Sequence, residues 1–314
     1  MIRFGICFSK DFVGDNPLEG IITKRKVYLK LLDLCQKEGW ETYILTRKTY
    51  KKDGIFVGSW KYENKKISQI KTPVRIDIVY DRTAGFKFPP KDEDLIVVDN
   101  IDFKKLCWNK WDQYTELKNY MSKTYLWKKS DDNLKEILSK IETDIVVLKP
   151  TNGLKGIGVF IGSKEEALGF KRTDADYIVQ EFIDTKNGIK GITPGRHDLR
   201  VVIVNNHPVW SHVRTPVEGT YEANVARGGS INEIELQNIP EGIKKIVEKV
   251  SNSFYKKYDN PIYSIDFGIG TDGEPKIFEI NDTIGFPRWE MKNRDNFLKE
   301  LVKNFKQKLN SYGK

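Results

Sequence analysis

The stretch Ile262–Asn281, IYSIDFGIGTDGEPKIFEIN, decides the reading of this chain. Two apolar runs flank Asp272-Gly273, the residue pair preferred at the centre of a two-residue type I′ hairpin turn. Pairing outwards from that turn sets Thr271 opposite Glu274 and Asp266 opposite Glu279. Asn281 lies two residues beyond Glu279, so its side chain shares that face. Like charges opposed in this way are destabilising, and a compensating cation is expected. Asp266, Glu279 and Asn281 offer the hard oxygen donors that suit Mg²⁺, which also takes phosphate oxygens. The plainer alternative is a solvated acidic face. Against it, Ser264, Asp266 and Gly268 share their face with little else polar, while Tyr263, Ile265, Phe267 and Ile269 make the other.

A second signal lies upstream. Asp144–Ile161, DIVVLKPTNGLKGIGVFI, reads as a strand ending at Lys149, a loop with Gly153, Gly156 and Gly158, then another strand. Glycines let backbone N–H groups close around an anion, and Lys149 with Lys155 adds point charges to the same phosphates. The loop lacks G-K-[ST] and a following helix, so it is not a Walker loop. Alone it reads equally well as a basic β-hairpin. Tyr177–Ile183 (YIVQEFI) is a buried strand whose end can meet a purine through backbone groups and apolar neighbours. Asp198 and Arg200 alternate onto one strand face, followed by Arg214, Asn224 and Arg227-Gly228-Gly229.

Working outward, the first third alternates strand and helix. Strands are expected at Arg3–Phe8, Glu41–Leu45, Ile76–Tyr80 and Leu95–Val98, with a helix at Val27–Glu38 and a basic hairpin or excursion over Lys48–Lys71. That pattern argues for an open α/β domain over residues 1–107. It lacks the G-x-G-x-x-G turn of dinucleotide binding. Beyond it come helices at Trp111–Met121 and Asp131–Lys140, five strands between Ile145 and Val213, and amphipathic helices at Glu241–Tyr258 and Phe297–Leu309. The fold class is thus mixed, α/β followed by α+β.

Composition agrees with a folded chain and excludes several classes. The 314 residues are 39% hydrophobic and 12% aromatic, too apolar for disorder. The 53 Lys+Arg against 44 Asp+Glu leave a net charge of +9, a general preference for anions. No apolar run approaches the roughly 18–20 residues of a membrane span, and Met1–Lys10 does not read as a signal peptide. Cys7, Cys35 and Cys107 have no metal or redox spacing and read as reduced thiols of a cytoplasmic protein. His197, His207 and His212 read as surface or strand residues rather than a zinc site.

In order, Lys110, Lys149 with the glycine loop, Gln180-Glu181-Phe182-Ile183, Asp198-x-Arg200, Arg214, Asn224, Asp266 and Glu279-x-Asn281 resemble the ATP-grasp superfamily, in particular its glutathione synthetase and alpha-L-glutamate ligase branch. The resemblance implies an ATP-grasp fold, with a Rossmann-like N-terminal domain (1–107) and two α+β subdomains clasping ATP, 108–185 with the glycine loop and 186–314 with the metal hairpin. It implies ATP and Mg²⁺, with two ions, as cofactors. Lys110 and Lys149 match the lysines on the phosphates, with Gly153, Lys155 and Gly156 in the loop. Gln180, Glu181, Phe182 and Ile183 match the adenine stretch, Asp198 the ribose contact, and Asn224 belongs to the same nucleotide set. Arg200 and Arg214, with Arg227, resemble the catalytic arginines at phosphate and developing charge. Asp266, Glu279 and Asn281 match the metal ligands. Asp282–Pro287 departs from the substrate-binding continuation of glutathione synthetases and glutamate ligases. Ile78–Phe86 resembles the N-terminal domain of spore-coat-associated ATP-grasp proteins, which leaves Arg82 either reaching into the cleft or on a surface loop.

The family chemistry implied is ATP-dependent carboxylate–amine ligation through an acylphosphate, with ADP and phosphate released. Its partners would be a small-molecule or peptide carboxylate and an amine. A kinase of the same fold acting on a hydroxyl, or a non-catalytic nucleotide-binding protein, are the alternatives. Asp266-Phe267-Gly268 spells the protein-kinase metal tripeptide, but His197-Asp198-Leu199-Arg200 is no kinase catalytic loop. Basic tracts at Lys48–Lys66 and Lys299–Lys314 are spread out and amphipathic, which argues against nucleic acid. Neither a membrane nor a nucleic acid is expected as a partner, and a homo-oligomer stays open.

Overall fold

The computed structural model describes residues 1–9, 17–18, 21, 23–83, 85, 88, 94–153, 156–221 and 228–313. In chain order the N-terminal part carries β1 (Arg3–Phe8), α1 (Arg25–Lys37), β2 (Glu41–Thr46), β3 (Ile55–Phe56), β4 (Ser59–Glu63), β5 (Lys66–Ile70), β6 (Val74–Arg75), β7 (Ile78–Arg82) and β8 (Ile96–Val97). Next come α2 (Ile101–Trp108), α3 (Lys110–Leu117), β9 (Thr124–Trp127), α4 (Leu134–Ser139), β10 (Ile145–Pro150), β11 (Phe160–Ser163), α5 (Lys164–Leu168) and β12 (Tyr177–Glu181). The chain closes with β13 (Asp198–Val204), β14 (His207–Thr215), β15 (Ser230–Ile234), α6 (Glu241–Lys257), β16 (Tyr263–Ile269), β17 (Pro275–Asn281) and α7 (Arg294–Ser311).

These strands form three main sheets, and β3 pairs with β6 in a small fourth. The first has the order β5-β4-β2-β1-β7-β8, parallel from β2 through β8 and antiparallel at its β4–β5 edge. Its central strand β1 is buried over its last five residues, as a strand covered on both faces must be. The basic excursion is the β4–β5 hairpin, turned by Asn64 and Lys65 at φ 50° and 60°, the left-handed pair of a type I′ turn. Ser59–Glu63 was not among the expected strands, because its Trp-Lys-Tyr-Glu alternation sits inside a charged tract.

The second sheet, β11-β10-β12-β9, is wholly antiparallel and packs Val146, Leu148, Tyr177 and Val179 against Leu134, Ile137 and Leu138 of α4. The third, β15-β14-β13-β16-β17, is also antiparallel. One of its faces buries Leu199, Val201, Ile203, Tyr263, Ile265 and Phe267 against Ile243, Val247, Val250 and Phe254 of α6. Those α6 residues recur at helical spacing, so the apolar stripe dictates which side of the helix docks.

The opposite face of the third sheet changes character along its length. At one end Val202, Val204, Val209 and Trp210 share a core with α7, α1 and the first sheet. At the other end the same face carries Asp198, Arg200, Arg214 and Asp266. Helix α7 therefore touches both sheets, with the Phe305 ring tilted against Phe4 of β1 at 4.9 Å between centroids. Among the described residues no helix is long and apolar enough to cross a membrane.

Candidate active site

The β16–β17 hairpin sets the register of the site, and it does so differently from the expected turn. Gly270 N–H donates to Glu274 O at 3.2 Å and Gly273 N–H to Gly270 O at 3.0 Å, so three residues, Thr271 to Gly273, make the turn. Only Gly273, at φ 82°, is left-handed, which removes the two-residue type I′ reading and the Thr271–Glu274 pair. Phe267 then pairs with Ile277, yet Asp266 still pairs with Glu279. Phe278 is the extra residue of a β-bulge. Without it Asp266 would oppose Phe278, and Glu279 would turn into the core. The bulge also explains why Ile277 and Ile280, three apart, are both fully buried on the α6 side.

Strand β13 assembles the charged cluster. It pairs Asp198 with Arg214 of β14 and Arg200 with Asp266 of β16, which brings two acids and two guanidiniums onto one face. Arg200 grips both Asp266 oxygens through Nε and Nη2 at 2.6 Å each. Arg214 donates to Asp198 and, at 2.8 Å, to Asp266 Oδ2. The Asn281 amide nitrogen donates to Glu279 Oε1 at 3.2 Å and to Asp266 Oδ2 at 3.4 Å. Burial works against the Asp266 charge, but the Arg200 and Arg214 guanidiniums outweigh it and hold this carboxyl well below the usual carboxylate range. Asp198 is pushed up to about 7 by burial and by Asp266, despite Arg214. The pair thus keeps its charge on Asp266. The like-charge opposition at Asp266 and Glu279 is accordingly offset by two arginines, where the sequence argument assigned that task to a metal ion.

The phosphate side is built by α3 and the second sheet. Lys149, on β10, donates to the Gln180 side-chain oxygen at 3.1 Å, and Gln180 in turn donates to Thr124 at 2.9 Å. Lys110, at the start of α3, donates to Gly153 O at 3.0 Å, and its backbone N–H to Thr151 O at 2.8 Å. Burial lowers both amines from their ordinary values, and Glu279 is the first charge that opposes this in each case. Gly156 and Gly158 stand at φ 71° and 75°. A side chain at Gly158 would also meet Pro150 at 3.0 Å and the Tyr177 hydroxyl at 3.1 Å, so the loop is packed against β10. At the end of β12, Glu181 accepts from Glu142 N–H at 3.2 Å, and the Phe182 ring meets Tyr221 edge-on at 5.1 Å. Ile183 lies beside Gly270 of the hairpin turn. Lys155, Asn224 and Arg227 lie outside the described residues.

Several polar side chains near this cluster were not placed by the sequence. Arg82 is not on a surface loop. It ends β7, donates to Ile284 O and to the Tyr80 hydroxyl (3.3 Å), and lies 5.0 Å from the Phe286 ring centroid. Lys104 bridges Asp81 at 3.2 Å and Asp282 at 2.9 Å, which fastens the residue after Asn281 to the first sheet. His212, on strand β14, and His197, just before β13, are buried, so of the two readings the surface one fails for both, and His197 Nε2 accepts from Ile269 N–H at 3.1 Å. Phe286 stacks on Tyr28 at 4.4 Å. The Asp282–Pro287 segment is therefore wedged between the sheets, and its partners lie too far away in sequence to leave a local pattern.

This junction carries a pH-dependent stability. Asp99 accepts from Ile262 N–H at 2.9 Å, and burial pushes its carboxyl up to about 7 against the pull of Lys104. Its folded pKa lies above the unfolded one, so the stabilisation is complete below about pH 4 and is lost as pH rises to 7. Asp99→Asn keeps an acceptor for Ile262 and removes the buried charge. The variant's thermal midpoint is expected to exceed the parent's most at pH 8, with the gap closing towards pH 4.5. A gap that does not change with pH would contradict this.

The residues suit a nucleotide triphosphate and a hard cation. Lys110 and Lys149 are desolvated cations whose hydrogen-bond partners are a carbonyl and an amide oxygen, a combination that an anion completes. Glu279 and Asn281 are half-buried oxygen donors beside Asp266. Both Asn281 contacts use its amide nitrogen, so its oxygen is not spent on either carboxylate. Among the described residues no three His, Cys, Asp or Glu cluster for a metal, so the donor set here depends on that amide.

Comparison with known proteins identifies the family. Residues 117–305, more than half of the chain, match the RimK-like ATP-grasp domain. A probable alpha-L-glutamate ligase of Psychromonas ingrahamii is 24% identical over 159 residues, covering 49% of this chain and 47% of that protein. One from Vibrio parahaemolyticus is 28% identical over 110 residues, 33% of this chain and 34% of that protein. The chain thus spans half or less of the length of these curated relatives. Among solved structures, D-alanyl-alanine synthetase A of Vibrio cholerae superposes with a TM-score of 0.65 at 14% identity, over 98% of this chain and 99% of that one. A RimK domain ATP-grasp protein of Sphaerobacter thermophilus gives 0.60 at 13% identity, over 96% and 98%. With more than half of its length matched by that domain, and with the same overall fold as these solved structures, this chain belongs to the RimK-like ATP-grasp family.

Proposed function

We propose that this chain is an ATP-dependent carboxylate–amine ligase that forms an amide through an acylphosphate and releases ADP and phosphate. The observation that carries the reading is the pair of desolvated amines, Lys110 and Lys149, whose field meets Glu279 of the Asp266–Glu279–Asn281 set. ATP supplies the phosphoryl group that activates the carboxylate, and Mg²⁺, as two ions, supplies charge opposite its phosphates. Lys110, Lys149 and the glycine loop hold phosphate oxygens, and Glu279 and Asn281 hold the metal. Asp266 joins them through whatever lone pairs its arginines leave. Arg200 and Arg214 offer fixed positive charge at a developing oxyanion, which costs no reorganisation during reaction. Gln180 to Ile183 flank the base. The substrates are a small or peptide carboxylate and an amine, and we place the nucleotide clasp in 108–185 and 186–314 with 1–107 in front of it.

The test is ADP release in the presence of Mg²⁺ and panels of carboxylates and amines, with hydroxylamine as a trap. Hydroxamate formation supports an acylphosphate. ADP release without hydroxamate points to hydroxyl phosphorylation, and AMP with pyrophosphate would sink the proposal. Lys149→Met sharpens it. One charge-assisted contact is worth about 1.5–3 kcal/mol, so ATP affinity should fall at least about tenfold. The thermal midpoint should hold or rise, because a cation already penalised by burial is gone. A midpoint that falls while ATP affinity is kept would mean that Lys149 is structural.

A further inference from the structure

We propose that the acid substrate carries a second anionic group, set apart from the carboxylate that reacts, and that Lys24, Arg82 and Arg288 hold it against the turn at Ile284–Phe286. This rests on the ligase reading above and names the substrate class of that same site.

The geometry begins at Gly285. A methyl group there would lie 3.5 Å from Lys24 Nζ, so the amine sits directly over the turn. On the same turn Arg82 donates to Ile284 O and lies over the Phe286 ring. Arg288 follows three residues later and is exposed at the rim. These cations repel one another. Burial, then Arg82, Arg288 and Arg200, push Lys24 down to about 8. Among the described residues no carboxylate is hydrogen-bonded to Lys24 or to the Arg288 side chain. Lys104, a buried cation at the same junction, has Asp81 and Asp282 beside it. Two half-buried cations and one at the rim, with no such acid among the described residues, make a site that an anion completes.

A second observation is independent of those charges. His212 is 97% buried by its 3% exposure, pairs across the strands with Arg200, and has no partner for Nδ1; Arg82 Nε is also buried without one. Burial and the nearby Arg200 and Arg214 keep the His212 ring from protonating, so it remains a neutral polar group. Unsatisfied buried donors and acceptors of this kind are rare in folded proteins and call for a partner.

The group is distinct from the nucleotide side. Lys110 and Lys149 take their field from Glu279, Asp198 and Asp266, whereas Lys24 takes its field from Arg82, Arg288 and Arg200. Arg200 links the two, since it acts on Lys24 and holds Asp266 by two hydrogen bonds. An acid whose reacting carboxylate sits by Arg200 therefore has its far end at Lys24 and Arg288.

Isothermal titration of the full chain, with and without Mg·ADP, tests this. The probes are glutarate against glutaramate, and 3-phosphoglycerate against glycerate, so that a carboxylate and a phosphate far end are separated. In at least one pair the doubly anionic acid is expected to bind about tenfold or more tighter. Lys24→Met and Arg288→Met should each reduce that ratio to about threefold or less, with ADP affinity kept within about twofold. Ratios near one in both pairs, or a preference that survives both substitutions, would overturn the proposal. Failure of ADP to bind would overturn the nucleotide reading alone, since the acid ratios are also read without nucleotide.

Discussion

Glu279→Gln is expected to lower turnover by about 10²–10³-fold while leaving the fold nearly as stable as before, an effect of the size seen when one transition-state charge contact is removed. The reason lies in where Glu279 stands. It is half-buried, and its one described hydrogen bond, from the Asn281 amide at 3.2 Å, can be accepted equally well by a glutamine oxygen. Nothing in the packing therefore requires the charge. The chemistry does, because Asp266 already has Arg200 and Arg214 as partners, and Glu279 is the carboxylate without a guanidinium on it. A metal bound here would draw most of its negative charge from Glu279. Measured together, ADP release should collapse and its Mg²⁺ requirement should rise, with the thermal midpoint within a few degrees of the parent. Activity and midpoint falling together would mean that the carboxylate is structural.

The hairpin that carries Glu279 shows how far sequence alone reaches. The pairing of Asp266 with Glu279 is present in the structure, but the turn assumed for it is not. The turn has one residue more than expected, and Phe278 adds a compensating residue in β17, so the two departures cancel at Asp266. A bulge leaves no mark on an alternating apolar pattern unless both strands are known. Phe278 does leave one trace after the fact: a side chain at Gly268 would come within 2.3 Å of its ring, so the glycine opposite is what gives the ring room.

The order Lys110, Lys149, Asp198-x-Arg200, Arg214, Asp266, Glu279-x-Asn281 was read through a family resemblance; Asp198, Arg200, Arg214, Asp266 and Glu279 meet because strand register fixes the face of each. Lys24 and Lys104 had no place in that order, Arg82 was left between two readings, and His212 was read only as a surface or strand residue. Arg82 meets Ile284 across 202 positions, and Lys104 meets Asp282 across 178. A lone lysine in a helix or a lone arginine at a strand end has no signature until the first sheet is docked on the third. Helix α7 does that docking through Phe297, Leu301 and Phe305, which read in sequence only as an amphipathic stripe with no stated partner.

Asp266→Asn should produce the largest loss of stability of any single change in the site. The side chain is 1% exposed and accepts from both arginines, so the amide leaves two guanidiniums without their main counter-charge. Removing one partner of a buried ion pair typically costs about 3–5 kcal/mol. The lower end, about 3 kcal/mol, is expected because a reserve acid stands beside it. Asp198 also binds Arg214, and its carboxyl is pushed up to about 7 after burial chiefly by Asp266 itself. Once Asp266 is neutral that repulsion is gone, and Asp198 ionises more readily and takes over part of the charge. Two measurements follow. In urea unfolding the midpoint should drop with an unchanged slope, and Asp198→Asn combined with Asp266→Asn should cost more than the two single losses added together. In the parent, Asp198 has a folded pKa above its unfolded one, so its contribution to stability is lost as pH rises from about 4 through 7. In Asp266→Asn that loss should shrink, because the folded pKa has come down towards the unfolded value. Strict additivity, or a pH profile identical to the parent's, would show that the two carboxylates do not share their arginines.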